Sequence, residues 1–217
     1  RKKMTDALFN LSGKIIALSG GMGNLGIQFC KALLKRDARV AVLDIHADNP
    51  MPAQFEPYIE KGSLLTVRTD ITRKPSLEQA LDAIREKWGR VPSGLINNAA
   101  LDAPPDAPEA ETGPFENFPE ASWDRTMDVN VKGVFLSCQV FGKAMADEGN
   151  GSIINIGSTY GLVSPDHRIY DYHREENNRQ FYKPVAYAAS KSALLNLTRY
   201  VAVYWAGQGV RANLLAF

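Results

Sequence analysis

Short apolar runs and longer helical periodicities alternate along this chain. The apolar runs predict six buried strands, at 14–19, 39–43, 64–69, 94–97, 152–156 and 210–215. Between them, apolar residues recur with helical spacing at 24–36, 76–88, about 121–145 and 185–205. Strands that alternate with helices predict an α/β fold: a doubly wound parallel β-sheet with helices on both faces. We find no internal repeat, and the pattern predicts a single domain over residues 1–217.

Two details refine this pattern. Ser76 is placed to cap the helix that runs through Trp88. The apolar stripe of that helix comprises Leu77, Ala80, Leu81, Ile84 and Trp88. Two stretches lack a periodic pattern: residues 101–120 are rich in proline and acidic side chains, and residues 162–184 are polar and aromatic. Both are therefore predicted to be irregular loops.

Composition is that of an ordinary globular domain, and it excludes several functions. The 217 residues are 45% hydrophobic and 23% charged, with a formal net charge of +1. This balance does not indicate nucleic acid or an anionic membrane as a partner. No apolar run is long enough for a signal peptide or a membrane span, which favours a cytoplasmic protein. Cys30 and Cys138 lie in apolar helical patterns and are predicted to be buried thiols rather than a disulfide or metal pair.

A glycine-rich sequence joins the first strand to the first helix. Gly20, Gly23 and Gly26 are spaced three apart within the sequence SGGMGNLG at 19–26. Such a link lets backbone amides approach a pyrophosphate at a helix N-terminus, although a tight turn alone is the alternative. Asp44, 18 residues after Gly26, favours a dinucleotide, because a carboxylate at the end of the second strand accepts hydrogen bonds from an adenosine ribose. The same carboxylate would repel a 2′-phosphate, so NAD is predicted over NADP.

Tyr187 and Lys191 lie four residues apart in the predicted helix 185–205 and therefore share one face. A phenol ordinarily keeps its proton up to a pKa of about 10. A neighbouring ammonium favours the phenolate and lowers that pKa, so the pair can transfer a proton near neutral pH. With a dinucleotide nearby, the pattern indicates hydride transfer coupled to proton transfer.

Taken together, these motifs resemble those of the short-chain dehydrogenase/reductase family over residues 19–213. The ordered motifs are the glycine turn, Asp70, Asn97-Asn98-Ala99-Ala100, Asn130, Ser158 and Tyr187-x-x-x-Lys191. The resemblance implies a Rossmann-type NAD(P)-binding domain. It also implies a set of cofactor-binding residues: Ser19, Gly20, Gly23, Asn24, Leu25, Gly26, Asp44, Asp70, Ile71, Asn98, Ala99, Tyr187 and Lys191. A cap at a strand end or helix is an equally good interpretation of Asp70.

The same resemblance implies a proton relay of four catalytic residues. In the relay, Ser158 hydrogen-bonds the reacting oxygen and Tyr187 is the general acid and base. Lys191 contacts the nicotinamide ribose and lowers the pKa of the tyrosine. Asn130 holds a water molecule in the relay.

Four features depart from the family pattern. Asn24 stands where the family usually has a glycine, and asparagine tolerates positive φ better than most residues. Ala100 replaces the usual glycine after the Asn-Asn-Ala segment. The spacing from Ser158 to Tyr187 is 29 residues, longer than is common. The Pro-Gly segment that usually follows the last strand, and the substrate-covering segment beyond it, are absent, so we expect the sequence to be incomplete at its C-terminus.

An inserted active-site loop, residues 162–184, is expected to border the mouth of the active site. Its candidate substrate contacts are His167, Arg168 and Arg174, which suit a polar or anionic substrate. A solvated loop or a subunit contact is the alternative. The insertion and the sequence SPDHRIY at 164–170 also resemble oxidoreductases linked to flagellin glycosylation and nonulosonic acid synthesis. That resemblance implies a sugar or nucleotide-sugar substrate.

The sequence therefore predicts an NAD-dependent oxidoreductase that interconverts a secondary alcohol and a ketone of a sugar-like small molecule. A 3-oxoacyl thioester reductase that uses NADPH is one alternative, which Asp44 and the polar loop oppose. A non-catalytic dinucleotide-binding redox sensor is another, and it would not need a complete proton relay. No metal is expected, because the acidic residues of 101–120 are irregularly spaced. Nucleic acid and membranes are not expected as partners either, because the net charge is close to zero. The resemblance implies a homodimer or homotetramer.

Overall fold

The computed structural model describes residues 7–103, 109–173 and 180–217. The strands are β1 (Ile15–Ser19), β2 (Arg39–Asp44), β3 (Leu64–Arg68), β4 (Gly94–Asn97), β5 (Gly151–Ile156) and β6 (Val210–Leu215). They form one parallel sheet in the order β3–β2–β1–β4–β5–β6. The predicted doubly wound sheet is confirmed, and each strand lies within one residue of its predicted bounds. The strand order reverses between β1 and β4, which opens a crevice at the carboxyl ends of the strands.

Helices cover both faces of the sheet. They are α1 (Asn24–Leu34), α2 (Glu56–Glu60), α3 (Lys74–Trp88), α4 (Glu109–Thr112), α5 (Glu120–Met127), α6 (Val134–Ser137), α7 (Lys143–Asp147) and α8 (Val185–Tyr204). Two π-helical segments, Asp128–Gly133 and Cys138–Gly142, join α5, α6 and α7 into one long helix. No helix in the described part of the chain is long and apolar enough to cross a membrane.

Burial on both faces explains the apolar strands. In β2, Ala41 and Leu43 belong to a core shared with α3, the long helix and α8. Val40 and Val42 belong to a second core shared with α1. Strands buried on both faces read as continuous apolar runs, as the sequence does here. Cys30 and Cys138 are buried and free, as predicted, and burial raises the pKa of each thiol to about 12.

The start of α3 differs from the prediction. The helix begins at Lys74, with Pro75 in its first turn, so Ser76 is not its cap. Proline is tolerated there because the first amides of a helix have no intrahelical acceptor. The Ser76 hydroxyl instead accepts a hydrogen bond of 3.0 Å from the backbone amide of Asp70. The predicted stripe on this helix is confirmed by the burial of Leu77, Ala80, Leu81 and Ile84.

The region predicted as a loop at 101–120 contains the helical turn α4 and a 3₁₀ turn at Phe115–Asn117, so that prediction was partly wrong. Glu111 holds the turn α4 in place. Its carboxylate accepts hydrogen bonds from Ser122 at 2.8 Å and Arg125 at 2.6 Å, which connect α4 to the long helix. Residues 104–108 lie outside the described residues. In the predicted loop 162–184, a 3₁₀ turn forms at His167–Tyr170.

Candidate active site

A cleft of about 1220 Å³ crosses the carboxyl ends of the parallel strands. Most of the predicted site residues line it: Gly20, Gly23, Asn24, Leu25, Asp44, Asp70, Ile71, Asn98, Ala99, Ser158, Tyr187 and Lys191. Three more predicted residues, Ser19, Gly26 and Asn130, are buried next to this lining. The structure therefore gathers both halves of the predicted site, which are far apart in the sequence, around one crevice.

The glycine turn is compact because its glycines leave no room for side chains. Gly20 has a φ of +63°, and a Cβ there would lie 2.6 Å from the Cα of Ala99. A Cβ on Gly26 would collide with the carbonyl oxygen of Gly20. Gly23 is the N-cap of α1 and offers no side-chain acceptor, so the first amides of the helix remain available at the cleft. This cradle fits the pyrophosphate of a dinucleotide.

Asn24 corrects one expectation. Among the described non-glycine residues, positive φ occurs at Asp37 and not at Asn24. Asn24 is instead the first residue of α1, with Gly23 as its cap. An ordinary helical backbone accepts asparagine, so the tolerance of asparagine for positive φ is not used here.

Ser19 and Asn98 hold the ends of β1 and β4 together. The Ser19 hydroxyl accepts hydrogen bonds from the backbone amides of Asn98 at 3.1 Å and Ala99 at 3.2 Å. The Asn98 amide group donates to the carbonyl oxygens of Ser19 at 3.1 Å and Gly20 at 2.9 Å. Both residues, predicted as cofactor contacts, therefore shape the floor on which the glycine turn rests.

Asp44 lies at the end of β2 and borders the cleft with 8% of its surface exposed. Its carboxylate accepts hydrogen bonds from the backbone amides of Met22 at 2.9 Å and His46 at 3.0 Å. Carboxylate oxygens can accept further hydrogen bonds, so these contacts leave capacity for a ribose hydroxyl. Asp70 accepts hydrogen bonds from the amide and hydroxyl of Thr72, at 2.9 and 2.7 Å, and also lines the cleft.

Ser158 and Lys191 flank Tyr187 at the other end of the cleft. Burial raises the pKa of Tyr187 above its ordinary value, while a hydrogen bond with Ser158 opposes the rise. The buried Lys191 ammonium donates a hydrogen bond of 2.7 Å to the carbonyl oxygen of Ile156. It lies 5.7 Å from the centroid of the Tyr187 ring, and burial lowers its own pKa to about 8.

The pKa of Tyr187 is raised in the structure, and its lowering by Lys191 stays a prediction. Desolvation of the phenol is the largest cause, and the nearby carboxylate of Asp102 adds to it. The Lys191 ammonium is directed to Ile156 rather than to the phenol, and burial disfavours its charged form. The pKa of Tyr187 therefore depends on charged groups other than the lysine of the Tyr-Lys motif.

Asn130 lies in the π-helical segment of the long helix and is 1% exposed. Its carbonyl oxygen accepts a hydrogen bond of 2.7 Å from the amide of Leu101. Its amide group donates to the carbonyl oxygen of Leu101 at 2.9 Å and to Ser190 at 3.0 Å. The side chain thus attaches the segment after β4 to α8, the helix that carries Tyr187. Its role in holding a water molecule stays a prediction.

The predicted substrate residues are placed outside the main cleft or outside the described residues. Arg168 is 86% exposed and pairs with Asp166 at 2.6 Å, which lowers the pKa of that carboxyl to about 2. His167 packs edge-on against Tyr182, with 5.2 Å between ring centroids, and lines a second cavity of about 490 Å³. Arg174 lies outside the described residues. The structure therefore does not bring Arg168 to the cleft.

Two charged residues near Tyr187 were not predicted. Asp102 lines the cleft, and its carboxylate pairs with the Lys183 ammonium at 2.6 Å. That ammonium lies 4.6 Å from the centroid of the Tyr187 ring. Only their positions in the sequence could have indicated them, since Asp102 follows β4 and Lys183 precedes Tyr187 by four residues. Within the described residues, no group of three or more His, Cys, Asp or Glu is arranged to hold a metal ion.

The chain is similar to known proteins in sequence and in fold. The chain is 28% identical to D-threitol dehydrogenase from Mycolicibacterium smegmatis, over 96% of this chain and 70% of that protein. It is 33% identical to galactitol 2-dehydrogenase (L-tagatose-forming) from Cereibacter sphaeroides, over 96% and 72% of the two chains. The crystal structure of a short chain dehydrogenase from Leptospira borgpetersenii with bound NAD⁺ matches with a TM-score of 0.77 and 26% identity. That match covers 95% of this chain and 71% of the other.

A family model described as short chain dehydrogenase matches residues 14–170, which is most of the chain. Members of this family bind NAD(H) or NADP(H) and transfer hydride at CH–OH groups. This protein, an oxidoreductase of alcohols and ketones, accordingly belongs to the short-chain dehydrogenase family.

Proposed function

We propose that the protein is an NAD-dependent polyol dehydrogenase that oxidises a secondary hydroxyl of a small polyhydroxylated compound to a ketone. One observation carries the proposal: Ser158, Tyr187 and Lys191 line the same cleft as the glycine turn and Asp44. Two relatives are named for polyols, D-threitol and galactitol, which supports this substrate class. Polyols also match the sugar-like character predicted from the sequence.

The residues at the strand ends fit NAD. The cradle around Gly20 and Gly23 would hold the pyrophosphate, and Lys191 would meet the nicotinamide ribose. Asp44 would accept hydrogen bonds from the adenosine ribose and repel a 2′-phosphate, which favours NAD over NADP. When bound, NAD supplies a nicotinamide ring that accepts or returns hydride.

The protein's own residues would handle the proton. Tyr187 takes the hydroxyl proton during oxidation and returns it during ketone reduction, while Ser158 orients the reacting oxygen. A phenol ordinarily keeps its proton up to a pKa of about 10, and burial raises the pKa of Tyr187 further, which favours the protonated form that ketone reduction uses. Oxidation requires the phenolate, so it should become faster as the pH rises.

The lining of the cleft includes charged residues, which suit a hydroxylated substrate better than an acyl chain. Among them are Asp102, Arg125 and Asp128. Carboxylates accept hydrogen bonds from hydroxyl groups, and a guanidinium donates to their oxygens. Such groups would bind the hydroxyls that flank the reacting carbon.

The test is a screen for reduction of NAD⁺ and NADP⁺, followed by the absorbance of the reduced nicotinamide. The panel contains four- to six-carbon alditols, sugar acids, nucleotide sugars, a 3-hydroxyacyl thioester and a hydroxysteroid. We expect alditol oxidation with NAD⁺, and none with the variant Tyr187→Phe. Turnover of only the thioester or the steroid would contradict the proposal, as would activity with NADP⁺ alone.

A further inference from the structure

We propose that Lys183 is a second positioning cation for the Tyr187 phenolate and that Asp102 holds it in place. This inference rests on the proposed function, in which Tyr187 exchanges the substrate proton. The two residues are far apart in the sequence, since Asp102 follows β4 and Lys183 precedes α8. Neither belongs to the predicted Ser158, Tyr187 and Lys191 set.

Distance is the first support. The Lys183 ammonium lies 4.6 Å from the centroid of the Tyr187 ring, whereas the Lys191 ammonium lies 5.7 Å away. A cation within about 6 Å of an aromatic ring is attracted to it, and the attraction grows when the ring carries a negative charge. Lys183 is therefore closer to the tyrosine ring than the lysine of the motif.

Burial is the second support. The Lys183 side chain is 13% exposed, so solvent screens its charge weakly. Its one charged partner among the described residues is Asp102, at 2.6 Å, and that carboxylate is 42% exposed. The pair therefore keeps a cation beside Tyr187 in surroundings where an unpaired ammonium would be costly.

The backbone positions both partners. Leu101, the neighbour of Asp102, is held at its amide and its carbonyl by the Asn130 side chain, at 2.7 and 2.9 Å. Tyr182, the neighbour of Lys183, donates its amide to the carbonyl oxygen of Thr112 at 2.9 Å. Little conformational freedom is lost when the ion pair forms, because the chain already brings the two side chains together.

The two cavities distinguish a positioning role for Lys183 from a role as a substrate contact. Asp102 lines the main cleft, where the reacting groups lie. Lys183 lines the second cavity, which Asp102 does not line. Asp102 therefore borders the substrate space, whereas Lys183 is close to the Tyr187 ring without lining the main cleft.

The expected change in the pKa of Tyr187 depends on every charged and titratable group that faces its ring. Lys183 and Lys191 are the cations near the ring, and Ser158 contributes a hydrogen bond. The carboxylate of Asp102 and the phenol of Tyr160 both raise the pKa of Tyr187. Loss of Lys183 would remove one cation and leave Asp102 unpaired, and both changes disfavour the phenolate.

The variants Lys183→Met, Asp102→Asn and their double combination test this inference. Two quantities are measured: kcat/KM for alcohol oxidation against pH, and the titration of Tyr187 in protein labelled with ¹³C-tyrosine. The NMR signal is assigned with Tyr187→Phe. For Lys183→Met we expect both midpoints to rise by roughly one pH unit, with about tenfold lower kcat/KM at neutral pH. Asp102→Asn should move both midpoints down, and the double variant should lie between the two.

Lys143→Met is the matched control, because Lys143 forms an ion pair of the same 2.6 Å length with Asp147 on the long helix. It should leave both midpoints unchanged. Lys183→Arg retains the charge, so a titration close to that of the native protein is expected. This variant also serves if Lys183→Met fails to fold, and a shift as large as that expected for methionine would then overturn the inference.

Two results would overturn the inference directly. One is a Lys183→Met variant with a higher KM but unchanged midpoints, which would make Lys183 a substrate contact. The other is a midpoint that falls instead of rising. The NMR titration needs no substrate, so it stands even if the native protein fails to oxidise polyols. Failure of the proposed function would appear in the substrate screen, and failure of this inference in the titration.

Discussion

The glycine turn and the segment between Ser158 and Tyr187 border the same cleft, but different forces hold them. In the turn, backbone groups touch one another: a Cβ on Gly20 would lie 2.6 Å from the Cα of Ala99. In the segment, side chains make the contacts. The hydroxyl groups of Tyr160 and Tyr170 are 2.9 Å apart, and the ring of Tyr170 packs against Phe181 with 4.9 Å between centroids.

This difference separates two kinds of specificity. A turn closed by backbone contacts tolerates almost no substitution, so the same cofactor can be retained while the rest of the protein changes. A segment held by side chains can exchange them without opening the sheet. We therefore expect changes in the turn to affect cofactor binding and changes in the segment to affect the substrate or the proton.

The largest effect on turnover is expected at Tyr187, which ends the segment and lines the same cleft as the glycine turn. Tyr187→Phe removes the group that exchanges the proton, so we expect turnover to fall by roughly 10³-fold. Affinity for NAD⁺ should stay nearly unchanged, because the hydroxyl group is a small part of the cofactor site. Steady-state kinetics with the polyol found in the screen, and calorimetric titration with NAD⁺, measure the two effects. Tyr200→Phe, on an exposed part of α8, is the control, and a near-normal rate for Tyr187→Phe would refute the assignment.

Within the turn, Gly26→Ala forces a Cβ against the carbonyl oxygen of Gly20. The turn must open, so the affinity for NAD⁺ should fall by about tenfold or more, and the free energy of unfolding by about 1–3 kcal/mol. Chemical denaturation and calorimetry measure these losses. Gly207→Ala is the matched control, since a Cβ there meets no atom within 4 Å. Equal behaviour of the two variants would show that the backbone contact does not matter.

Asp44→Ala tests the proposed contact between this carboxylate and the adenosine ribose. The carboxylate would lose its ribose contact and its hydrogen bonds to Met22 and His46. We expect roughly tenfold weaker binding of NAD⁺ and a smaller loss for NADP⁺, because repulsion of the 2′-phosphate also disappears. The dissociation constants of NAD⁺ and NADP⁺, measured for the native protein and the variant, test this expected change in preference. Asp48→Ala, which removes an exposed partner of Arg68, should leave the preference unchanged; an unchanged preference in Asp44→Ala would count against the ribose contact.

The smallest effect is expected in the segment itself. Arg168 pairs with Asp166 on the surface and does not reach the cleft. Arg168→Ala should therefore change kcat and KM by less than about twofold, as surface substitutions rarely perturb distant sites. A tenfold rise in KM would restore the sequence-based prediction that Arg168 binds the substrate.

Local patterns predicted most of the fold because strands and helices are local. The apolar runs marked β1 to β6 within one residue of their ends. The π-helical segments at Asp128–Gly133 and Cys138–Gly142 were not predicted. A π-helical turn is defined by which carbonyl accepts each backbone amide, and the short apolar patterns of this helix did not specify that hydrogen bonding.

The candidate site divides in the same way. Asp44, Tyr187 and Lys191 could be predicted from a strand end and a shared helical face, and Ser158 from the resemblance to the family. The contact between Asp102 and Lys183 could not, since 81 residues separate its members. Asp102 looked like one acid among several in a loop, and only the fold shows which of them faces Tyr187.

The sequence by itself determined the sheet, the glycine turn and the order of the reacting groups, because each depends on neighbours a few residues away. Tertiary structure alone decided the surroundings of Tyr187. The pKa of that phenol is raised by burial and by the carboxylate of Asp102, which lies after β4 and far from Tyr187 in the sequence. Burial and charge act through space, so the proton chemistry of Tyr187 depends on what the fold places around it.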